Sequence, residues 1–211
     1  MLARTSLASA LIAGLVCGAL SSAQAQQPQR PQLQEKSIPQ APKELPRVGG
    51  NRTRGLDFLF GALKVAPDDA SARYVEARIW SIWTQTSSDT ASLLMSRAKT
   101  AADAKNYDVA LKLLDKITAL RPDYIEAWNR RATILYLKND YTGALADIRQ
   151  VLAREPRHFG ALAGLGMIMQ DIGDDRRALD AFRRALAINP RLERVPEMVK
   201  TLTEKVEGRD I

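Results

Sequence analysis

Sulfur and imidazole chemistry are almost missing from this chain, whose 211 residues include one cysteine, Cys17, and one histidine, His158. A lone thiol closes no disulfide, and a lone imidazole completes neither a Cys/His metal set nor a nucleophile–base pair. No glycine-rich phosphate loop, serine-nucleophile turn or zinc-helix signature occurs. The carboxylate pair Asp174-Asp175 has the chemistry for acid/base work, but Asp174 stands where a helix must be capped. His158 falls at a junction between segments and reads as a junction residue, not a ligand. No catalytic residue, no metal ligand and no cofactor is therefore expected, and the chain reads as a non-enzyme.

Long apolar runs are also scarce. Arg4 followed by the apolar stretch Leu7 to Leu20 and by Ala23-Gln24-Ala25 has the three parts of a secretory signal peptide, over residues 1–25. The stretch is too short to span a bilayer, so no stable membrane insertion is expected after cleavage. Val16 before Cys17 departs from the small residue that a bacterial lipoprotein signal places there. Cleavage before Gln26 leaves a mature chain without cysteine, which suits an exported, periplasmic protein, with secretion as the alternative. Residues 26–54 follow as a disordered linker: Pro28, Pro31, Pro39, Pro42 and Pro46 with interspersed glutamines bury too little apolar surface to order the backbone.

What the chain does have is a period. Thirty-four residues separate Ala110, Ala144 and Ala178, and likewise Pro122, Pro156 and Pro190. The same interval aligns Leu94, Trp128 and Leu162, then Ala98, Ala132 and Gly166, then Leu114, Ile148 and Phe182. Within each unit the apolar columns recur every three or four residues in two stretches, which predicts two amphipathic helices. Asn106, Asp140 and Asp174 are N-cap residues for the second helix, and the proline columns end it by excluding helical backbone at the preceding residue. Asp123 with Glu126 resembles a capping box. The alanine and glycine columns let paired helices approach closely.

These columns, with Trp128, Tyr141, Ala144, Leu145 and Pro156 in the middle unit, resemble the tetratricopeptide repeat family. The resemblance covers three units, residues 91–124, 125–158 and 159–192. It implies an all-α helical solenoid of three repeats. Arg97 and Arg131 stand in a column that is usually apolar, as Leu165 is, and Asp175 replaces a third tyrosine; both departures suggest looser packing there. Ends must be covered in such an array. Residues 193–207, with Val195, Val199, Leu202 and Val206 on one stripe, are expected to form a C-terminal capping helix. Residues 55–86 are expected to form an N-terminal helical hairpin that starts the solenoid, with Val75, Ile79, Ile82 and Trp83 buried and Trp80 at the stripe's edge.

The family mostly uses the inner face, lined by the first helix of each unit, to hold peptides or helices of other proteins. The resemblance therefore implies a protein or peptide partner, met by Met95, Lys99, Asn129, Arg130, Thr133, Tyr136, Met167 and Gln170. The family arrangement that grips a C-terminal carboxylate does not carry over, because Asn129 is displaced by one residue from it. The formal net charge of +7 admits an alternative, a basic module attaching to anionic envelope polymers or a lipid surface. The doublets Arg130-Arg131, Arg176-Arg177 and Arg183-Arg184 interleave with acids and lack an aromatic platform, so nucleic acid is not an expected partner. Export itself is directly checkable: N-terminal sequencing of protein recovered from a bacterial envelope fraction is expected to begin at Gln26, and an intact Met1 terminus would overturn the leader.

Overall fold

The amphipathic stretches become helices joined by short connections. The computed structural model describes residues 48–208, with side chains from residue 53 onward. Among them are α1 (Val48–Lys64), α2 (Asp69–Thr84), α3 (Asp89–Asp103), α4 (Tyr107–Leu120), α5 (Ile125–Leu137), α6 (Tyr141–Arg154), α7 (Phe159–Asp171), α8 (Asp175–Ile188) and α9 (Val195–Val206). The described residues contain no strand. The leader and residues 26–47 of the expected linker lie outside them. Residues 48–54, also assigned to that linker by their sequence, belong instead to α1. Once Leu56, Phe60 and Leu63 are docked, extending an existing helix gains one backbone hydrogen bond per residue without a new nucleation cost.

Helices α3–α4, α5–α6 and α7–α8 are the three repeats. Their internal turns place Lys105, Asn139 and Gly173, again 34 residues apart, at φ of 58°, 61° and 83°. Each is followed by an amide that reaches back to the preceding helix, with Asn106 N donating to Ala101 O at 2.8 Å, Asp140 N to Leu135 O at 2.9 Å and Asp174 N to Met169 O at 2.8 Å. This left-handed C-terminal cap reverses the chain and satisfies carbonyls that the helix leaves free. Asp140 and Asp174 then accept from Gly143 N and Arg177 N at 2.9 and 3.0 Å, whereas Asn106 makes no side-chain cap bond. The expected capping box at Asp123 does not form. Asp123 binds Arg121, and Glu126 turns inward, where it is 1% exposed.

Small columns sit where helices touch. Ala98, Ala132, Ala110, Ala144 and Ala178 are buried, and a Cβ built on Gly166 would lie 2.5 Å from the Phe182 ring. In the arginine column Arg97 is exposed, as expected, but Arg131 departs from the expectation. Arg131 is no loosely packed position: it binds Asp147 of α6 through Nε and Nη2, both at 2.7 Å, and Asp115 of α4 through Nη1 at 2.7 Å. Its side chain is 20% exposed and that of Asp147 only 3%. Three helices are thereby tied together, and the guanidinium lies 4.8 Å from the Trp128 ring. Hydrogen bonding to Asp147, ahead of the opposing effect of burial, raises the pKa of Arg131 above its ordinary value.

The N-terminal hairpin α1–α2 corrects its expected place. It does not stack on α3 as the first layer of the solenoid but lies across the loops between repeats. Phe60, Ile79 and Trp83 share a core with Phe159, Ile125, Ile188 and Leu192. Polar ties follow the same line: Tyr124 OH donates to Thr84 O at 2.7 Å, Arg157 to Asp57 at 2.5 Å, Asn189 to Glu76 at 2.9 Å, and Arg191 to Asp69 at 2.6 Å and to Pro67 O at 2.9 Å. Chain order suggested stacking. The aromatic face of the hairpin instead meets aromatic and aliphatic groups at the loops, and residues 85–88 let the chain fold back to reach them. The C-terminal helix α9 packs on α8 through Val195, Val199 and Leu202.

Two substitutions test this packing. Ala144→Leu is expected to cost about 1–3 kcal/mol by overpacking, read as a lowered urea midpoint; an unchanged midpoint would contradict the register. Arg131→Leu alone leaves Asp147 buried without its partner and is expected to cost about 3–5 kcal/mol. The double variant Arg131→Leu/Asp147→Ala copies the third repeat, Leu165 and Ala181, and should recover most of that loss.

Candidate functional site

Between α5 and α7 short side chains leave open volume. Ala132, Gly160, Ala161, Ala163 and Gly164, together with Leu137, Ile148 and Ile168, line a cleft of about 280 Å³ that Asn129, Thr133, Tyr136 and Met167 border. A second recess of about 570 Å³ lies between α7 and α9, lined by Met167, Leu192, Val195 and Met198 with Glu193, Arg194 and Glu197 at its rim. Ala163 and Met167 belong to both. Met167 is 38% exposed, so a flexible thioether stands at the junction of two apolar recesses, a surface that adapts to differently shaped side chains.

Of the eight residues expected from sequence, Asn129, Thr133, Tyr136 and Met167 therefore border one cleft. Met95 is half-buried against the α3–α4 core, Lys99 pairs with Asp103 at 2.6 Å on the exposed side of α3, and Gln170 is half-buried outside the cleft lining. Arg130 is committed elsewhere, with Nε 3.0 Å from Glu126 Oε1. Sequence reasoning missed Leu192 and Met198. The period contained the signal, because Met198 lies 34 residues after Gly164 and α9 follows the third repeat as a further first helix would.

The polar groups around the cleft are largely satisfied within the protein. Asn129 Nδ2 donates to Glu126 Oε2 at 3.0 Å and Thr133 Oγ1 to Asn129 O at 3.1 Å. Tyr136 packs 6.0 Å from the Tyr141 ring. Partial burial, reinforced by the nearby Asp171 carboxylate, raises the phenol pKa of Tyr136, so it stays a neutral hydrogen-bonding group.

Behind the cleft lies a buried polar cluster. His158, fully buried, caps α7 by accepting from Ala161 N at Nδ1, 3.0 Å away, which places the proton of the neutral ring on Nε2. That Nε2 lies 3.7 Å from Glu126 Oε2. The ring stacks on Trp83 at 4.0 Å, and Trp80 meets it edge-on at 5.3 Å. Trp80 also presses on Gly160, where a Cβ would stand 2.9 Å from its ring. Trp80 is thus a packing residue set against Gly160.

The arginine doublets are mostly engaged within the chain. Arg130 pairs with Glu126, Arg131 with Asp147, Arg177 with Asp174, Arg183 with Glu207 and Arg184 with Asp180. No helix among the described residues is long and apolar enough to cross a membrane.

Comparison with known proteins agrees with the repeat fold. Residues 95–149 and 138–193 each match the tetratricopeptide repeat family. A TPR repeat-containing protein of Rhizobium etli is 41% identical over 153 residues, 72% of this chain and 75% of that protein. Among solved structures, the first TPR domain of Spaghetti (RPAP3) bound to an HSP90 peptide aligns with a TM-score of 0.55 at 16% identity, covering 58% of this chain and 97% of that one. MamA aligns with a TM-score of 0.54 at 18% identity, covering 78% and 84%. At these identities the solved structures show a shared fold.

Proposed function

Because the chain belongs to the tetratricopeptide repeat family, we propose that it is an exported, non-enzymatic adaptor that holds a segment of another protein along the α5–α7–α9 surface. The observation that carries this reading is the pair of recesses meeting at Met167, about 280 and 570 Å³ in volume. Each has room for at least one large apolar side chain, and Tyr136 and Asn129 border the first with hydrogen-bonding groups. A protein of the same fold was solved with an HSP90 peptide bound, which supports peptide capture as work this architecture does. Export rests on the leader at residues 1–25, and a periplasmic location on the absence of cysteine from the chain that follows it.

Attachment to anionic polymers or lipid, the rival reading, asks for free cationic surface, and the arginine pairing above reduces it. The test is capture from a host envelope extract by the wild-type chain and by Met167→Lys, at low salt and at 1 M salt, where the Debye length is about 3 Å. Met167 is already partly exposed, so the variant is expected to keep its helical circular dichroism. A small set of proteins retained by the wild type at both salts and lost from Met167→Lys is the expected result. Equal retention by the variant would remove the cleft from the function, and a broad salt-labile set would transfer the assignment to surface attachment.

A further inference from the structure

The 34-residue period makes each repeat a control for the others. Ala127 and Ala161 are 0% and 1% exposed, while Leu93 in the same column is 54% exposed. Ile134 and Ile168 are buried, and Thr100 is exposed. Asp147 and Ala181 are buried, and Leu113 is only half-buried. Leu93, Arg97 and Thr100 fall at i, i+4 and i+7, one stripe of α3. In the second and third repeats the equivalent stripe packs on the second helix of the preceding repeat: Ala127 and Ile134 join Leu114 and Ile117 of α4, and Ala161 and Ile168 join Ile148 and Val151 of α6. Among the described residues the first repeat has no preceding helix packed on this stripe, because the hairpin α1–α2 lies across the loops.

The arginine column says what that missing helix should carry. Arg131 receives two carboxylates, Asp147 from its own repeat and Asp115 from the preceding helix, with Thr118 Oγ1 3.2 Å from Nη1. In the third repeat the column holds Leu165, and α6 offers apolar Leu152 to the same core. Arg97 has neither carboxylate. Leu113 stands in the Asp147 column, and among the described residues no hydrogen bond or ion pair holds the Arg97 side chain. Exposed, that guanidinium is hydrated at no cost. Covered by an apolar helix it loses its water, and only an acidic group on the incoming helix offsets the loss.

We propose that the open end of the solenoid, built from Leu93, Arg97, Thr100 and Leu113, docks an amphipathic α-helix of a partner protein that carries a carboxylate within its apolar stripe. This surface is separate from the α5–α7–α9 clefts and does not depend on them. The internal α4–α5 interface is its template: an aliphatic stripe with an acid one residue after its central leucine, as in Leu114-Asp115, and a hydroxyl three residues beyond the acid at Thr118.

The template also supplies the probe. A 14-residue peptide of the α4 sequence, Tyr107–Leu120, needs a hydrocarbon staple because an isolated helix of that length is marginal in water. Fluorescence anisotropy with the full-length chain is expected to show saturable binding, weakened about tenfold or more when the peptide carries Asp115→Asn. Arg97→Glu in the protein should lose the native peptide and gain a peptide carrying Asp115→Lys; both protein forms are checked by circular dichroism, Arg97 being exposed. No binding, or binding indifferent to these charge changes, overturns the proposal. A protein dimer abolished by Leu93→Lys would assign the face to a second copy, and peptide binding only after deletion of residues 1–47 would assign it to the chain's own N-terminal segment; either result also overturns it.

Discussion

Everything else in the molecule depends on how closely the two helices of a repeat approach. Alanine at 110, 144 and 178, facing alanine or glycine at 98, 132 and 166, sets that distance, and larger columns such as Leu114, Ile148 and Phe182 fill the grooves beside it. Gly166 shows how little tolerance remains, since the Phe182 ring occupies the space a methyl would need. A separate set of short side chains shapes the candidate site. Gly160, Ala161, Ala163 and Gly164 of α7, with Ala132 of α5, leave a cleft between those helices. Only Ala132 serves both the close helix packing and the cleft.

Charge within the solenoid is used for orientation. Arg131 replaces an aliphatic contact with hydrogen bonds to α4 and α6, a geometry that a slipped helix would break. Such pairs seldom add much net stability, but removing one partner is costly, so they select one arrangement over its near neighbours. Glu126 accepts a hydrogen bond from Asn129 and pairs with the charge of Arg130. Pairing within the chain therefore takes most of the arginine doublets out of the free positive surface.

The hairpin α1–α2 works as a clasp spanning the two loops between repeats and the loop from the third repeat to α9. Trp83 and Phe159 are buried there, and the indole Nε1 of Trp83 and the Nε2 of His158 have no hydrogen-bond partner among the described residues. The ties from Arg157, Asn189 and Arg191 fix the position. A repeat array is ordinarily held by contacts between neighbours alone. Here Asp57, Asp69, Glu76 and Thr84 connect the hairpin to all three loops, so the first and third repeats are joined through an element outside the period. The clasp also leaves the outer stripe of α3 uncovered.

The sequence by itself determined the repeats: their number, their two-helix form, the turns at Asn106, Asp140 and Asp174, and the stripe of α9. These are local consequences of apolar spacing, caps and small residues, and each is written in contiguous residues. It also placed Asn129, Thr133, Tyr136 and Met167 on first helices, where the structure finds a cleft. The tertiary structure alone decided the partners of Glu126 and Arg131 and the place of the hairpin. Those outcomes depend on surfaces brought together from distant parts of the chain. Periodicity says which face of a helix is apolar; which other face it meets follows from shape and charge once the helices have assembled.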